Sequence, residues 1–110
     1  NAFKSLERAH ILGQRYFIPH IATHWQMLRI GLKRNDNREV IGQIVRLIAT
    51  VPGFIFGWVP RGNPGGANIS ALKPVPLPAD LQPLLADSPI WRDVLIRLTI
   101  YAVIVLIVLA

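Results

Sequence analysis

The sequence predicts an all-α protein: short amphipathic helices, then a long Pro/Gly loop, then one C-terminal transmembrane helix. Three observations predict it. Apolar residues recur at spacings of three and four through the first half of the chain, the period of one helical face. Six of the nine prolines and three of the eight glycines fall within residues 60–83. Residues 98–110 carry no charge, and only Thr99 and Tyr101 among them are polar. The chain is thus expected to divide into a helical, membrane-surface or partner-facing region at 1–59, an extended loop at 60–88 and a transmembrane helix at 89–110.

The first helix is expected over residues 2–13, with Phe3, Leu6, His10 and Gly13 on one face and Gly13 as its end. A second is expected from Pro19 to about residue 34. Ile18, Ile21, Trp25, Leu28 and Leu32 form its apolar stripe, the face expected to be buried. Arg29, Lys33 and Arg34 load its C-terminal end with positive charge, which suits the helix dipole. The third is announced by Asp36-Asn37-Arg38-Glu39, a capping-box pattern. Val40, Ile44, Leu47, Ile48 and Val51 form its apolar face, and Pro52-Gly53 is expected to stop or kink it. The stretch 40–59 has one charge, Arg46. A charge at a bilayer centre costs roughly 2.5–3.5 kcal/mol, so this stretch is expected to lie on the interface with Arg46 outward.

The loop holds Gly-Asn-Pro-Gly-Gly at 62–66, which permits turns with positive φ, and Pro74, Pro76 and Pro78, which enforce an extended path. In the last segment Ser88 can cap a helix and Pro89 suits its first position. Trp91 and Tyr101 are amphipathic rings for the interface, and Arg92 and Arg97 can reach toward headgroups, so these four residues are the expected anchor. The 22 residues from Pro89 to the end would reach about 33 Å, close to a hydrocarbon core of about 30 Å.

Composition narrows the function. The 110 residues include 12 Lys+Arg and 6 Asp+Glu, a net charge of +6, with 52% hydrophobic and only 16% charged residues. A soluble domain carries about 25% charged residues. Eight of the basic residues lie in the first 50. The positive-inside rule then places that region in the cytoplasm of a bacterial inner membrane, with the C-terminus across it. Arg29, Lys33, Arg34, Arg38 and Arg46 are read as contacts to anionic lipid or to integral membrane protein subunits. They lack the aromatic interleaving and recognition motifs that nucleic acid would need. There is no cysteine, which excludes disulfides, thiolate metal sites, iron–sulfur clusters and a Cys nucleophile.

The histidines carry the candidate chemistry. His20 and His24 stand one helical turn apart, Met27 follows on the same stripe, and Glu7 with His10 forms a Glu-x-x-His pair one helix earlier. Imidazoles at this spacing can share a copper, zinc or iron ion, and a thioether suits copper. With two glutamates in the chain, a complete di-iron carboxylate site is out of reach. Tetrapyrrole ligation by one imidazole is the lesser alternative, and interhelical hydrogen bonding is the plain one. No nucleophile elbow or phosphate loop is complete.

The segments LERAHILGQ at 6–14, PHIATHWQMLRIG at 19–31, REVIGQ at 38–43, GWVPRGNPGGANISA at 57–71 and PVPLPADL at 74–81 resemble a family of short bacterial proteins of unknown function. The resemblance covers about residues 2–86. It implies that Glu7, His10, His20, His24, Asn63 and Gly65 are the positions of interest. Its loose association with heavy-metal-resistance gene neighbourhoods implies a metal role. Pro64 replaces an expected Thr, and 89–110 lies outside the pattern. The leading expectation is a non-catalytic, single-pass accessory subunit of a respiratory or photosynthetic type of membrane complex. The alternative is a membrane-anchored, histidine-based metal-binding protein for metal handling or resistance.

Overall fold

Four α-helices order the chain in a computed structural model that describes residues 1–85 and 88–110. Helix α1 spans Ala2–Gly13, opened by Asn1, whose side chain accepts from the Lys4 N–H at 2.9 Å. Helix α2 spans Phe17–Lys33 and α3 spans Asn37–Phe56. Helix α4 spans Ile90–Leu109. A single 3₁₀ turn, Gln82–Leu84, interrupts the long loop. The described residues of 60–88 are otherwise irregular, and residues 86 and 87 of the expected loop lie outside the described ones.

The turn between α2 and α3 is short because Asn35 adopts φ 54°. That lets Asn35 N–H reach Leu32 O and Asp36 N–H reach Gly31 O, closing α2 with a Schellman motif. Asp36 then caps α3, accepting from Glu39 N–H at 3.0 Å. Only half of the expected capping box forms. The Glu39 carboxylate turns instead to the loop, where it accepts from Ala67 N–H at 3.1 and 3.2 Å. Pro52 does not stop α3, which runs on to Phe56 and ends where Gly57 turns left-handed at φ 73°.

Helices α2 and α3 form the main packing pair, with α1 against α2 and α4 touching α3. What they bury departs from the sequence expectation. The apolar stripe of α2 faces out: Ile18, Trp25 and Leu32 are exposed, and only Leu28 is buried. The buried residues of α2 are Thr23, His24, Met27, Leu28 and Gly31. Helix α3 does the same, burying Gln43, Thr50 and Gly53 while Ile48 is 71% exposed. The reason lies in the partners. The inward faces must meet a histidine cluster and the backbone of the 60–81 loop, and polar or small side chains satisfy those groups where aliphatic ones cannot.

Arg46 is accordingly not outward. It is half-buried, and its guanidinium donates to Gly42 O and Gly66 O at 3.1 Å and to Ile69 O at 2.6 Å, clamping the loop onto α3. By length and composition α3 is able to cross a membrane, but little of it is buried inside the protein. Helix α4 matches α3 in length yet carries Arg92, Asp93 and Arg97 in its first half. Its start differs from the expectation: Pro89 is the cap residue with no side-chain cap bond, and the Ser88 hydroxyl accepts from Arg15 at 3.0 Å. Arg15 Nε also meets Asp93 at 2.8 Å, which docks this end of α4 to the turn between α1 and α2. Arg97 reaches back rather than outward, donating to Phe54 O near the end of α3 and lying 3.9 Å over the Phe54 ring. From residue 98 onward every residue is exposed.

Candidate metal centre

Three helical turns and one loop converge on the histidines. His10 comes from the last turns of α1, and His20 and His24 come from successive turns of α2. His10 Nε2 lies 3.1 Å from His24 Nε2, which lies 3.0 Å from His20 Nε2. The ring centroids are 4.6–4.8 Å apart. One ligand atom from each residue falls within 4.8 Å of the others, so the trio could hold a metal ion.

The surrounding hydrogen bonds decide which ring nitrogens carry protons. His10 Nδ1 lies 2.7 Å from Asn63 O. A carbonyl only accepts, so Nδ1 holds the proton and Nε2 offers a lone pair. His24 Nδ1 lies 2.6 Å from Gln43 Oε1. The Gln43 amide cannot be reversed, because its Nε2 faces Glu39 Oε1 at 2.6 Å and Gly65 O at 3.0 Å, both acceptors. Thus His24 Nδ1 also holds the proton and its Nε2 also offers a lone pair. Two lone pairs then oppose each other at 3.1 Å. A proton on His20 Nε2 can serve its own contact with His24, but none is left for the contact between His10 and His24.

An electrophile resolves this arrangement. Two nitrogens bound at about 2.0–2.1 Å to a tetrahedral ion lie about 3.3–3.4 Å apart, within a few tenths of an ångström of the spacing here. Protonation resolves it less well. Burial, with the mutual repulsion of the neighbouring imidazoles, pushes the pKa of His10 down to about 3 and that of His20 to about 4. Burial likewise pushes His24 to about 4, against the Gln43 hydrogen bond, which raises it. The rings stay neutral at physiological pH, the form in which imidazole binds metals.

Gln43 orients the His24 ring and the Asn63 carbonyl orients the His10 ring. Gln43 is 0% and Asn63 1% exposed. Asn63 Nδ2 donates to Ser70 O and Lys73 O at 2.8 Å, and its Oδ1 accepts from Gly65 N–H at 2.9 Å, folding the loop into a lid over α1. Gly65, at φ 86°, passes so close that a Cβ there would sit 2.6 Å from His10 Cδ2. Only glycine allows both that φ and that approach.

The other residues singled out in the sequence fall elsewhere. Met27 is fully buried with its Sδ 3.5 Å from Gln43 Nε2. Glu7 lies beside Gly66 of the loop and outside the histidine trio. Arg29, Lys33, Arg34 and Arg38 are exposed near the α2–α3 turn, whereas Arg46, on α3, turns to the loop carbonyls. Trp91 and Tyr101 are exposed on α4. Gln43 was not singled out by sequence reasoning. Its signal was a glutamine one turn after Glu39 in an otherwise apolar helix.

A cavity of about 260 Å³ opens beside the trio, lined by all three histidines together with Arg46, Thr50 and Trp58. Fold and site thus define an all-helical protein with a three-histidine cluster at a cavity wall, His10 and His24 buried and His20 half-buried. The family described as "Protein of unknown function (DUF3703)" matches residues 1–85, and the chain belongs to it. Helix α4 lies beyond the matched residues. The search of curated proteins and that of solved structures found no match.

Proposed function

We propose that this protein binds one first-row transition-metal ion through Nε2 of His10, His20 and His24. The observation that carries the reading is the pair of opposed lone pairs on His10 and His24, each imposed by a hydrogen bond at Nδ1. Three neutral imidazoles suit copper, zinc or iron. They leave a further coordination position for the cavity, since a tetrahedral ion takes four ligands. A tetrapyrrole fits less well, because it takes axial imidazoles one per face, and here three rings meet at one point.

The metal site is proposed to be held at a membrane by α4. Its 20 residues span about 30 Å, and residues 98–110 are apolar and exposed. The basic residues of α2 and α3 support a cytoplasmic side for the N-terminal region. A second reading, an accessory subunit in a larger membrane complex, is favoured by one further observation. The outward face of α3 presents Ile41, Ile44 and Ile48, each exposed among the described residues. The two readings are compatible.

The test is metal uptake by the detergent-purified full chain. One Zn²⁺ or Cu²⁺ per chain is expected, lost on replacing His20 and His24 together by Ala. Unchanged uptake in that variant contradicts the reading. Truncation before residue 98 is expected to release the chain from the membrane fraction. Purification of the full chain as a lone monomer from mild detergent contradicts the subunit reading.

A further inference from the structure

The histidine trio supplies no negative charge, and this has a consequence for whatever shares its cavity. Three neutral imidazoles leave the full charge of a bound divalent ion in place. Arg46 lines the same cavity and adds a second cation. Its guanidinium is held only by the neutral carbonyls of Gly42, Gly66 and Ile69. Among the described residues the ion pairs are Arg8–Asp80 and Arg15–Asp93, so Arg46 has no carboxylate within ion-pair distance. Of its five N–H groups, the one on Nε is buried and unpartnered. Glu39 is the nearby acid, and it is turned to Gln43 and Ala67. A metal-loaded site would thus hold two positive charges beyond what Glu39 offsets, in a partly buried place where unpaired charge is costly.

The other walls say what kind of anion would relieve this. Val45, Ala49, Pro52, Trp58 and Leu72 line the cavity beside the polar groups. An apolar cavity of about 150 Å³ accepts benzene. The 260 Å³ here accepts a ring bearing one more polar group.

We infer that the cavity takes a small organic monocarboxylate, its anionic end between the histidine-bound metal and Arg46 and its apolar body against Val45, Ala49, Pro52, Trp58 and Leu72. The inference deepens the metal reading and rests on it. Arg46 also bears the mark of a cation lacking a counter-charge, since burial holds its pKa below the usual guanidinium value, against the opposing pull of Glu39. A bound metal would supply one electrostatic contact and Arg46 the other, from a cavity that the three histidines and Arg46 line together.

The test uses the full chain in a neutral detergent, loaded with Co²⁺, whose visible bands report its ligands. Co²⁺ uptake is measured first. Its absence would fail the metal reading and take this inference with it. Benzoate, benzyl alcohol and inorganic phosphate are then titrated into the loaded protein. Benzoate is expected to shift the Co²⁺ bands saturably, benzyl alcohol to leave them unchanged, and phosphate to bind more weakly than benzoate. Arg46→Gln is expected to weaken benzoate about tenfold or more while Co²⁺ stoichiometry holds. Because Arg46 also clamps the loop, Ala49→Phe serves as a second variant. It narrows the apolar part of the cavity and is expected to weaken benzoate while sparing azide. A Co²⁺-loaded protein that ignores benzoate, answers benzyl alcohol equally, or prefers phosphate overturns the inference.

Discussion

The two ends of this molecule use opposite logic. In α1–α3 and the turns and loop packed on them the interior is polar: His10, Gln14, Thr23, His24, Gln43, Thr50 and Asn63 are buried, against Ile11, Met27, Leu28 and Leu81 as the buried apolar side chains among the described residues. In α4 no residue is buried, and the apolar surface is the outside. A helix pair that turned its aliphatic stripe inward would make an ordinary core. This one turns the stripe outward and encloses a hydrogen-bonded network around three imidazoles. The lesson is that the apolar face of an amphipathic helix marks the core only where the core is apolar. Near a polar site, or next to lipid, the same periodicity points the other way.

Emptying the polar interior is expected to have the largest effect. His24→Ala removes the ring that contacts both other histidines. It is expected to lower metal affinity by more than about a hundredfold, beyond the 10–100-fold typical of losing a group that only orients a metal-binding ring, as read by competition with a chelator. Gln43→Leu is next. It strips the acceptor from His24 Nδ1 and the donor from Gly65 O, both buried. The expected cost is about 2–4 kcal/mol in chemical denaturation and about 10–100-fold in metal affinity.

Acid titrates the same interior. The histidines fold neutral with pKa values pushed down to about 3 and about 4, whereas in the unfolded chain they protonate near 6.5. Below that value the unfolded state binds more protons, so the metal-free protein loses stability as pH falls from about 6.5 toward about 4. Full stability is expected above that window. A flat profile across it, followed by circular dichroism, would contradict a buried neutral trio. The smallest effect is expected outside. Ile48→Gln on the exposed face of α3 should change stability by within about 0.5 kcal/mol and leave metal affinity unaltered. An Ile48 that behaved as a core residue would reverse the assignment of faces.

Much of the architecture was legible in the sequence because it is local. Asp36 announced α3, Gly-Asn-Pro-Gly-Gly announced a turn-rich loop, and the spacing of His20 and His24 put two imidazoles on one stripe. What was not legible depended on contacts between distant segments. The approach of His10 to His24 depends on α1 packing against α2. The role of Gln43 depends on loop residue Gly65 coming within 3.0 Å. Arg46 read as a surface charge because its partners, Gly66 and Ile69, are carbonyls twenty or more residues away, and a carbonyl leaves no signature in a sequence. Pro52 failed to end α3 because Gly57, with φ 73°, supplies a better stop five residues later.

The central claim is that His10, His20 and His24 share one metal ion, with the lone pairs of His10 and His24 already turned toward each other. The most direct measurement is X-ray absorption on the Zn²⁺-loaded full chain, beside variants lacking each histidine in turn. Three imidazole nitrogens at about 2.0–2.1 Å, with one lost in each of His10→Ala, His20→Ala and His24→Ala, is the predicted result. A zinc shell without imidazole, or one unchanged by any of the three substitutions, would contradict it.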